Sequence, residues 1–441
     1  MIRPSERAVH PVPARRFRFA AIILQPETIP GRPFFVEVEL RREVGGSAQA
    51  LAADMVGEDE MKFCGRKHGR VLSGLVALGL TACGGGAGAS APAGGGTPTA
   101  PPPALTPTPS PTPTPASSLA PSDGSFYWKS SAPLIGPQPD PSQTIYAVKD
   151  PSVVFANGKY HVFMTTAGSK GWGIAYTSFA DWSSASKAPI FPLDKSPIGP
   201  GYRAAPEIFY FAPQKLWYLI FQGGDPFYST TANIDDPMSW SPARPFFATA
   251  PDITKPPAGT WWLDYYIICN DAKCYLFNTD DNGHVMRSET SIDQFPNGFH
   301  NTTIVINQPR EDAFEGGSNY RVKGTNTYLT VIESIGPKGR YFRIWKSEGL
   351  EGVWVPLGTA DKNPLIKADN VESIWSEGIS HGELIRDTND QTQVIDPCKP
   401  LQFLFQGNDP SVHVSDYIQL PYRLGLLTAK GSNPITDMCR K

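Results

Sequence analysis

From about residue 126 onward the apolar residues fall in short runs divided by turn signals such as Asn157-Gly158, and helical periodicity is scarce. Runs such as Tyr160-His161-Val162-Phe163-Met164 and Leu216-Trp217-Tyr218-Leu219-Ile220-Phe221 have strand length and the aromatic, β-branched character that suits a pleated surface. Five segments share one layout. Each opens with an acid or polar residue beside a small residue or proline, continues as an apolar strand, turns into an aromatic-rich strand, and ends in a third strand with polar edges. They open at Asp150-Pro151, Pro206-Glu207, Leu263-Asp264, Glu315-Gly316 and Glu377-Gly378, about 51 to 62 residues apart. That spacing suits four-stranded blades and predicts an all-β, five-bladed β-propeller over residues 123–441. A β-sandwich of unrelated strands is the competing architecture. In a propeller the first strand of each blade lines the central channel, so residues at its start converge although they are far apart in sequence.

Ahead of this region the pattern changes twice. Met61, Lys62, Arg66, Lys67 and Arg70 precede the apolar run from Val71 to Leu80, which ends in Thr81-Ala82-Cys83. That is a basic segment, a hydrophobic segment of signal-peptide length and a small-residue cleavage site. Leu80-Thr81-Ala82-Cys83 resembles the lipobox of bacterial lipoproteins, which implies lipidation of Cys83, export and a lipid anchor as the membrane contact. Residues 1–60 carry one plausible strand, Pro33–Leu40, and are too few for a convincing core. Since a signal peptide works from an N-terminus, translation is expected to start at Met61, with 1–60 outside the native protein. Residues 84–122 run through Gly, Ala and Ser to Thr106-Pro107-Thr108-Pro109 and Thr112-Pro113-Thr114-Pro115, an extended spacer without a core.

Charged residues make up 18% of the chain and the formal net charge is −3. No basic footprint exists for nucleic acid, and a neutral or weakly charged ligand fits better. The protein is expected to be a monomer.

Hydrolysis of a glycosidic bond needs two carboxyl groups, one protonated to donate to the leaving oxygen and one ionised to activate water or attack carbon. Asp150, Asp264 and Glu315 stand at blade openings that the spacing makes equivalent, so they are expected to face one another. Lys149 beside Asp150 favours its carboxylate form, as a base requires. Glu315 lies among Phe314, Gly316 and Gly317, an apolar setting that favours a protonated acid. Asp264, between Trp262 and Tyr265, is placed to tune that proton.

Several stretches in order resemble glycoside hydrolase family 62. They are Lys149-Asp150-Pro151-Ser152 with Gly158–Phe163, Ala205–Pro213, Asp281-Asn282-Gly283, Val322–Asn326 and Ser380–Arg386. The resemblance covers about residue 126 to the C-terminus. It implies a five-bladed propeller and an inverting α-L-arabinofuranosidase that removes arabinose branches from arabinoxylan. By position it makes Asp150 the general base, Glu315 the general acid and Asp264 the residue that orients the acid, with base and acid about 6.5–9.5 Å apart. It also implies that Lys149 and Tyr417 contact arabinose, and that His381 is the ligand of a calcium ion near the axis, the rest of whose shell is mostly water. His413 is the weaker candidate ligand. Phe221-Gln222-Gly223-Gly224 lacks the tryptophan expected after the glutamine, which bears on how the xylan backbone is gripped. A β-xylosidase or arabinanase of the same propeller clan, and a propeller that only binds polysaccharide, are the alternatives.

Export permits disulfides. Cys269 and Cys274 flank the turn Asn270–Lys273 and either face each other across a hairpin or remain buried thiols. Cys398 and Cys439 are left to pair.

Overall fold

The near-continuous apolar runs arise because both faces of each sheet are buried. Successive residues of a strand point to opposite faces, so in the first repeat Val153 and Val162 pack toward Leu404 and Leu424, while Val154 and Phe163 pack toward Ile208 and Leu219. The same alternation sends Phe209 and Ile267 to one cluster and Ile268 and Phe277 to the next. The computed structural model describes residues 39–42, 49–52, 122–255, 262–357 and 364–439. Within them these clusters fill the spaces between five radial sheets. A fully buried aliphatic side chain at such a place contributes about 1.5–3 kcal/mol, and truncating Ile267 to alanine there costs about 2–5 kcal/mol.

The five-bladed propeller expected from the repeat is present. The first blade is Ile145–Ala156, Lys159–Gly168, Gly171–Phe179 and Phe191–Pro192, and the second is Ala204–Phe211, Leu216–Gly223, Asp225–Thr231 and Arg244–Pro245. The third is Leu263–Cys269, Lys273–Thr279, His284–Ser291 and His300–Asn307; the fourth is Glu315–Val322, Thr327–Gly336, Gly339–Glu348 and Val355–Pro356. The inner strands meet in a closed circuit. The fifth blade has Ser380–Leu384, Gln402–Gly407 and Arg423–Ala429 from the end of the chain, and its fourth strand, Trp128–Ser130, comes from the beginning. Ser122 adds a bond from its backbone N–H to Asp437 at 3.0 Å. The ring is thus closed by joining the domain's two ends.

The long excursion in the fifth repeat closes one end of the channel. Cys269 donates its N–H to Gln391 and Tyr210 donates to Asn389, while Arg321 and Lys323 donate to Gln393 and Ile395. Val394–Ile395 runs parallel to the fourth inner strand. Arg386 donates to the carbonyls of Val153 at 2.8 Å and Ile208 at 3.0 Å. Inner strands of four blades therefore bond to one plug, a feature the repeat pattern did not reveal.

Cys269 and Cys274 are directly paired across their hairpin and form a disulfide, and Cys398 bonds to Cys439. The chain divides into units 1–108 and 109–441. In the first, Glu39–Arg42 pairs antiparallel with Gln49–Ala52, overlapping the expected strand at its last two residues. The lipobox with Cys83, the signal segment and the linker up to residue 121 lie outside the described residues. Among the described residues no helix is long and apolar enough to cross a membrane.

Candidate active site

Every inner strand carries an extra residue at an equivalent place, and the first carries another between Ile145 and Ala147. The antiparallel register slips between Lys149 and Ser152, Ala204 and Glu207, Leu263 and Tyr266, Glu315 and Gly317, and Ser380 and Gly382. Such a β-bulge bends the strand and re-aims a side chain. The bulge residues Asp150, Ala205, Asp264 and Gly316 have φ of 45°, 46°, 54° and 59°, and His381 takes this place in the fifth blade. The equivalence inferred from spacing needs correction here. Asp150 and Asp264 are equivalent, whereas Glu315 stands one residue earlier, level with Lys149. Glu207 lies deeper, level with Ser152 and Glu383, and Glu377 precedes the fifth inner strand. A bulge adds a residue without disturbing the apolar run behind it, so spacing alone could not reveal the offset.

A side chain from the preceding blade satisfies most of these bulge N–H groups. Asp150 donates to Gln406 at 2.6 Å, Ala205 to Thr165 at 2.8 Å and Asp264 to Gln222 at 3.0 Å. His381 donates its N–H to Glu333. Each acceptor sits on the second strand of its blade. Gly316 is the exception, donating instead to Asp264 Oδ2 at 2.8 Å. Since a buried unpaired N–H costs about 1–3 kcal/mol, these contacts fix the mouth of the channel.

The expected site residues gather at this mouth. His381 Nδ1 lies 3.4 Å from Asp150 Oδ1 and 3.8 Å from Asp264 Oδ2. Asp150 and Asp264 are both buried. Burial, then the charges of Glu315 and Asp150, push the Asp264 carboxyl well above the usual carboxylate range. Glu315 is in an ionic setting rather than the apolar one expected. Arg340 Nη1 reaches Glu315 Oε1 at 2.9 Å and Glu333 Oε1 at 2.7 Å, with its guanidinium 4.1 Å from the Phe314 ring centre. Lys149 also differs from expectation: its buried ammonium donates to Tyr417 Oη at 2.8 Å rather than pairing with Asp150. It is caged by the rings of Trp172, Tyr417 and Tyr422 at 4.7, 4.5 and 5.1 Å. The nearest cationic group facing Asp150 is therefore His381, when protonated. His413 is exposed, on the segment before Tyr417.

Gln222 joins Asp264 to the rim. Its Oε1 accepts from Asp264 N, and its Nε2 donates at 2.6 Å to the hydroxyl of Tyr202, a partly exposed aromatic. Beneath the mouth, Glu207 and Glu383 are buried with Arg386, and burial raises both carboxyls. Burial, then the charge of nearby Glu315, pushes Asp281 up to about 6.

Acids in differing environments at a blind, aromatic-walled opening are the equipment of a glycosidase, and the comparisons agree. The profile of glycosyl hydrolase family 62 matches residues 127–428. The chain belongs to this family. It is 38% identical over 310 residues to α-L-arabinofuranosidase C of Cellvibrio japonicus, covering 69% of this chain and 47% of that protein. It thus spans about half the length of that relative. The catalytic domain of a family 62 α-L-arabinofuranosidase from Coprinopsis cinerea superposes with a TM-score of 0.67 at 46% identity, covering 70% of this chain and 98% of that one. A family 62 hydrolase solved in complex with xylotriose gives 0.66 at 41% identity, over 69% and 98%.

The family stretches quoted from sequence contain Asp150, Lys149 and His381, and the fold brings Asp264, Glu315 and Tyr417 to them. Sequence reasoning missed Glu333, Arg340, Gln406 and Trp172. Their roles depend on cross-strand and inter-blade neighbours, and a single sequence carries no signal for those.

Proposed function

We propose that the protein is an exo-acting, inverting glycoside hydrolase that removes α-L-arabinofuranosyl side chains from arabinoxylan. The observation that carries this reading is the meeting of Asp150, Asp264 and Glu315 at the open end of a channel whose other end is plugged. A blind pocket receives a terminal sugar but cannot thread a chain.

In the proposed reaction Glu315 gives its proton to the glycosidic oxygen as the bond to the arabinose anomeric carbon breaks. Asp150 takes a proton from a water whose oxygen bonds to that carbon from the opposite face. The acid ends deprotonated and the base protonated, and exchange with solvent resets both. Asp264, pushed up by burial, holds its place through the Gly316 N–H and carries less charge toward the acid than an exposed carboxylate would. Lys149 and Tyr417 at the same rim supply donors for arabinose hydroxyls, and their aromatic neighbours supply apolar walls. The xylotriose held by the family 62 relative fits a xylan backbone lying across this rim.

A calcium ion at His381 fits the charge of the site. Asp150, Asp264, Glu315 and Glu333 outnumber Lys149 and Arg340 there. Among the described residues no group of three or more His, Cys, Asp or Glu could hold a metal, so such an ion would rest on the imidazole and water. When bound it would supply fixed positive charge near the axis. Stability and activity unchanged by chelation would remove it.

Incubation with wheat arabinoxylan and with linear arabinan, followed by identification of the sugars, tests the function. Free arabinose from arabinoxylan alone is expected. Arabino-oligosaccharides from linear arabinan would instead assign an arabinanase, and binding without release would assign a polysaccharide-binding protein.

A further inference from the structure

Four of the five blades place a side chain under the next bulge N–H from the second strand, and three of the four are neutral: Thr165, Gln222 and Gln406. The fourth is Glu333, directly paired with Glu315 and with a fully buried side chain. A glutamine would cap the His381 N–H as well, as Gln222 and Gln406 do at Asp264 and Asp150. Burying a carboxylate is costly unless it is paired, so capping alone does not account for this residue. What the charge adds is Arg340. Glu333 Oε1 holds Arg340 Nη1 at 2.7 Å, and the same nitrogen reaches Glu315 Oε1 at 2.9 Å. Ser380 Oγ fixes the other side of Glu333 at 2.9 Å.

One guanidinium nitrogen therefore serves two carboxyl groups, one at the mouth and one in the core. An arginine beside a proton donor works against the donor, because an adjacent cation favours the ionised carboxylate. A second, buried carboxylate on the same nitrogen counters this pull and locks the direction in which the fork points. We propose that Glu333 is a positioning residue that acts through Arg340, setting how much of that guanidinium's charge and hydrogen bonding reaches Glu315. This rests on the assignment of Glu315 as the acid. The charged or titratable groups facing Glu315 are Arg340, Glu333, Asp264, Asp281 and Tyr417. Among them Glu333 and Arg340 form the pair whose removal has opposite consequences.

The test is the pH profile of arabinose release from arabinoxylan by the whole protein carrying Glu333→Gln or Arg340→Gln. Glu333→Gln keeps an acceptor for the His381 N–H and leaves Arg340 wholly to Glu315. Its basic limb should move to lower pH by roughly one unit, with kcat reduced about 10-fold or more at neutral pH and KM nearly unchanged. Arg340→Gln removes the cation, and its basic limb should move to higher pH. Limbs that stay put, or that move in the same direction, would overturn the proposal, since a purely structural defect scales activity equally at every pH. If Glu333→Gln fails to fold, Glu333→Asp takes its place: it keeps the charge but shortens the reach to Arg340, and its basic limb should also move to lower pH, whereas an unmoved limb would overturn the proposal. Glu315→Gln separates the two levels of inference: retained turnover there would remove the acid assignment itself, whereas lost turnover there with unmoved limbs in the other variants would remove only the role of Glu333.

Discussion

Gly316 donates its backbone N–H to Asp264 Oδ2 at 2.8 Å, across the boundary between the third and fourth blades. The bond ties the orientation of one site carboxylate to the backbone that carries the next, Glu315. It depends on a left-handed turn at residue 316, with φ of 59°, and on free space, since an added Cβ would stand 3.3 Å from His381 Nδ1.

Gly316→Ala should accordingly cost about 1–2 kcal/mol of stability, read by urea unfolding. Its loss of kcat should exceed what that destabilisation explains, because the added Cβ presses on His381 and any relaxation of the turn moves the N–H that holds Asp264. A variant with wild-type kcat would show that the turn at 316 does not set the acid's geometry.

Lys149 offers its ammonium from within three rings and donates to the hydroxyl of Tyr417. Lys149→Met should lower kcat/KM on arabinoxylan by about 100-fold or more, while Tyr417→Phe, which keeps the ring, should cost closer to 10-fold. Steady-state kinetics on both variants checks the order of the two effects.

Asp281 provides a pH dependence of definite sign. Its folded-state pKa of about 6 lies above the ordinary aspartate value of 3.8, so the folded protein holds this proton more tightly than the unfolded chain. The associated stability is fully present below pH 4 and is lost as pH rises through 6. Asp281→Asn should therefore lose less stability between pH 4 and pH 7 than the wild type, as measured by Tm across that range. Parallel Tm curves for the two proteins would contradict this.

The Cys398–Cys439 disulfide spans 41 residues that include both the second and third strands of the fifth blade. In the chain-entropy view a closed loop of this size contributes roughly 4 kcal/mol. Cys398→Ser should lower the urea midpoint markedly in oxidising buffer and leave it less sensitive to added reductant than the wild type, with only the Cys269–Cys274 bond still reducible.

The blades were legible in the sequence because their physics is local. Alternation such as Val153/Val154, repeated at strand length with turns between, reports burial on both faces without knowledge of partners. Asp150, Asp264 and Glu315 stood out as acids at the heads of those strands. The one-residue offset of Glu315 was hidden, since the register slip between Glu315 and Gly317 exists only relative to the neighbouring strand. Glu333 was hidden for a related reason: within Val331-Ile332-Glu333-Ser334 it reads as an ordinary polar strand residue until its pairing with Glu315 and Arg340 is known. The plug was hidden because many of its bonds run through backbone carbonyls such as those of Gln391 and Gln393, which any residue possesses, and because the side-chain bonds of the two glutamines to Ala212 and Ile267 join segments far apart in sequence.

The fourth strand of the last blade comes from the start of the domain. Trp128–Ser130 has no antiparallel partner until Arg423–Ala429 has been made, so the ring can close only after the last strand of the domain has left the ribosome. The same seam receives any load carried by the segment ahead of Ser122. A pull on that segment acts first on the Ser122–Asp437 contact and then on the pairing of Lys129 with Thr428. A staple between Cys398 and Cys439 stands just behind that seam, where mechanical failure would begin.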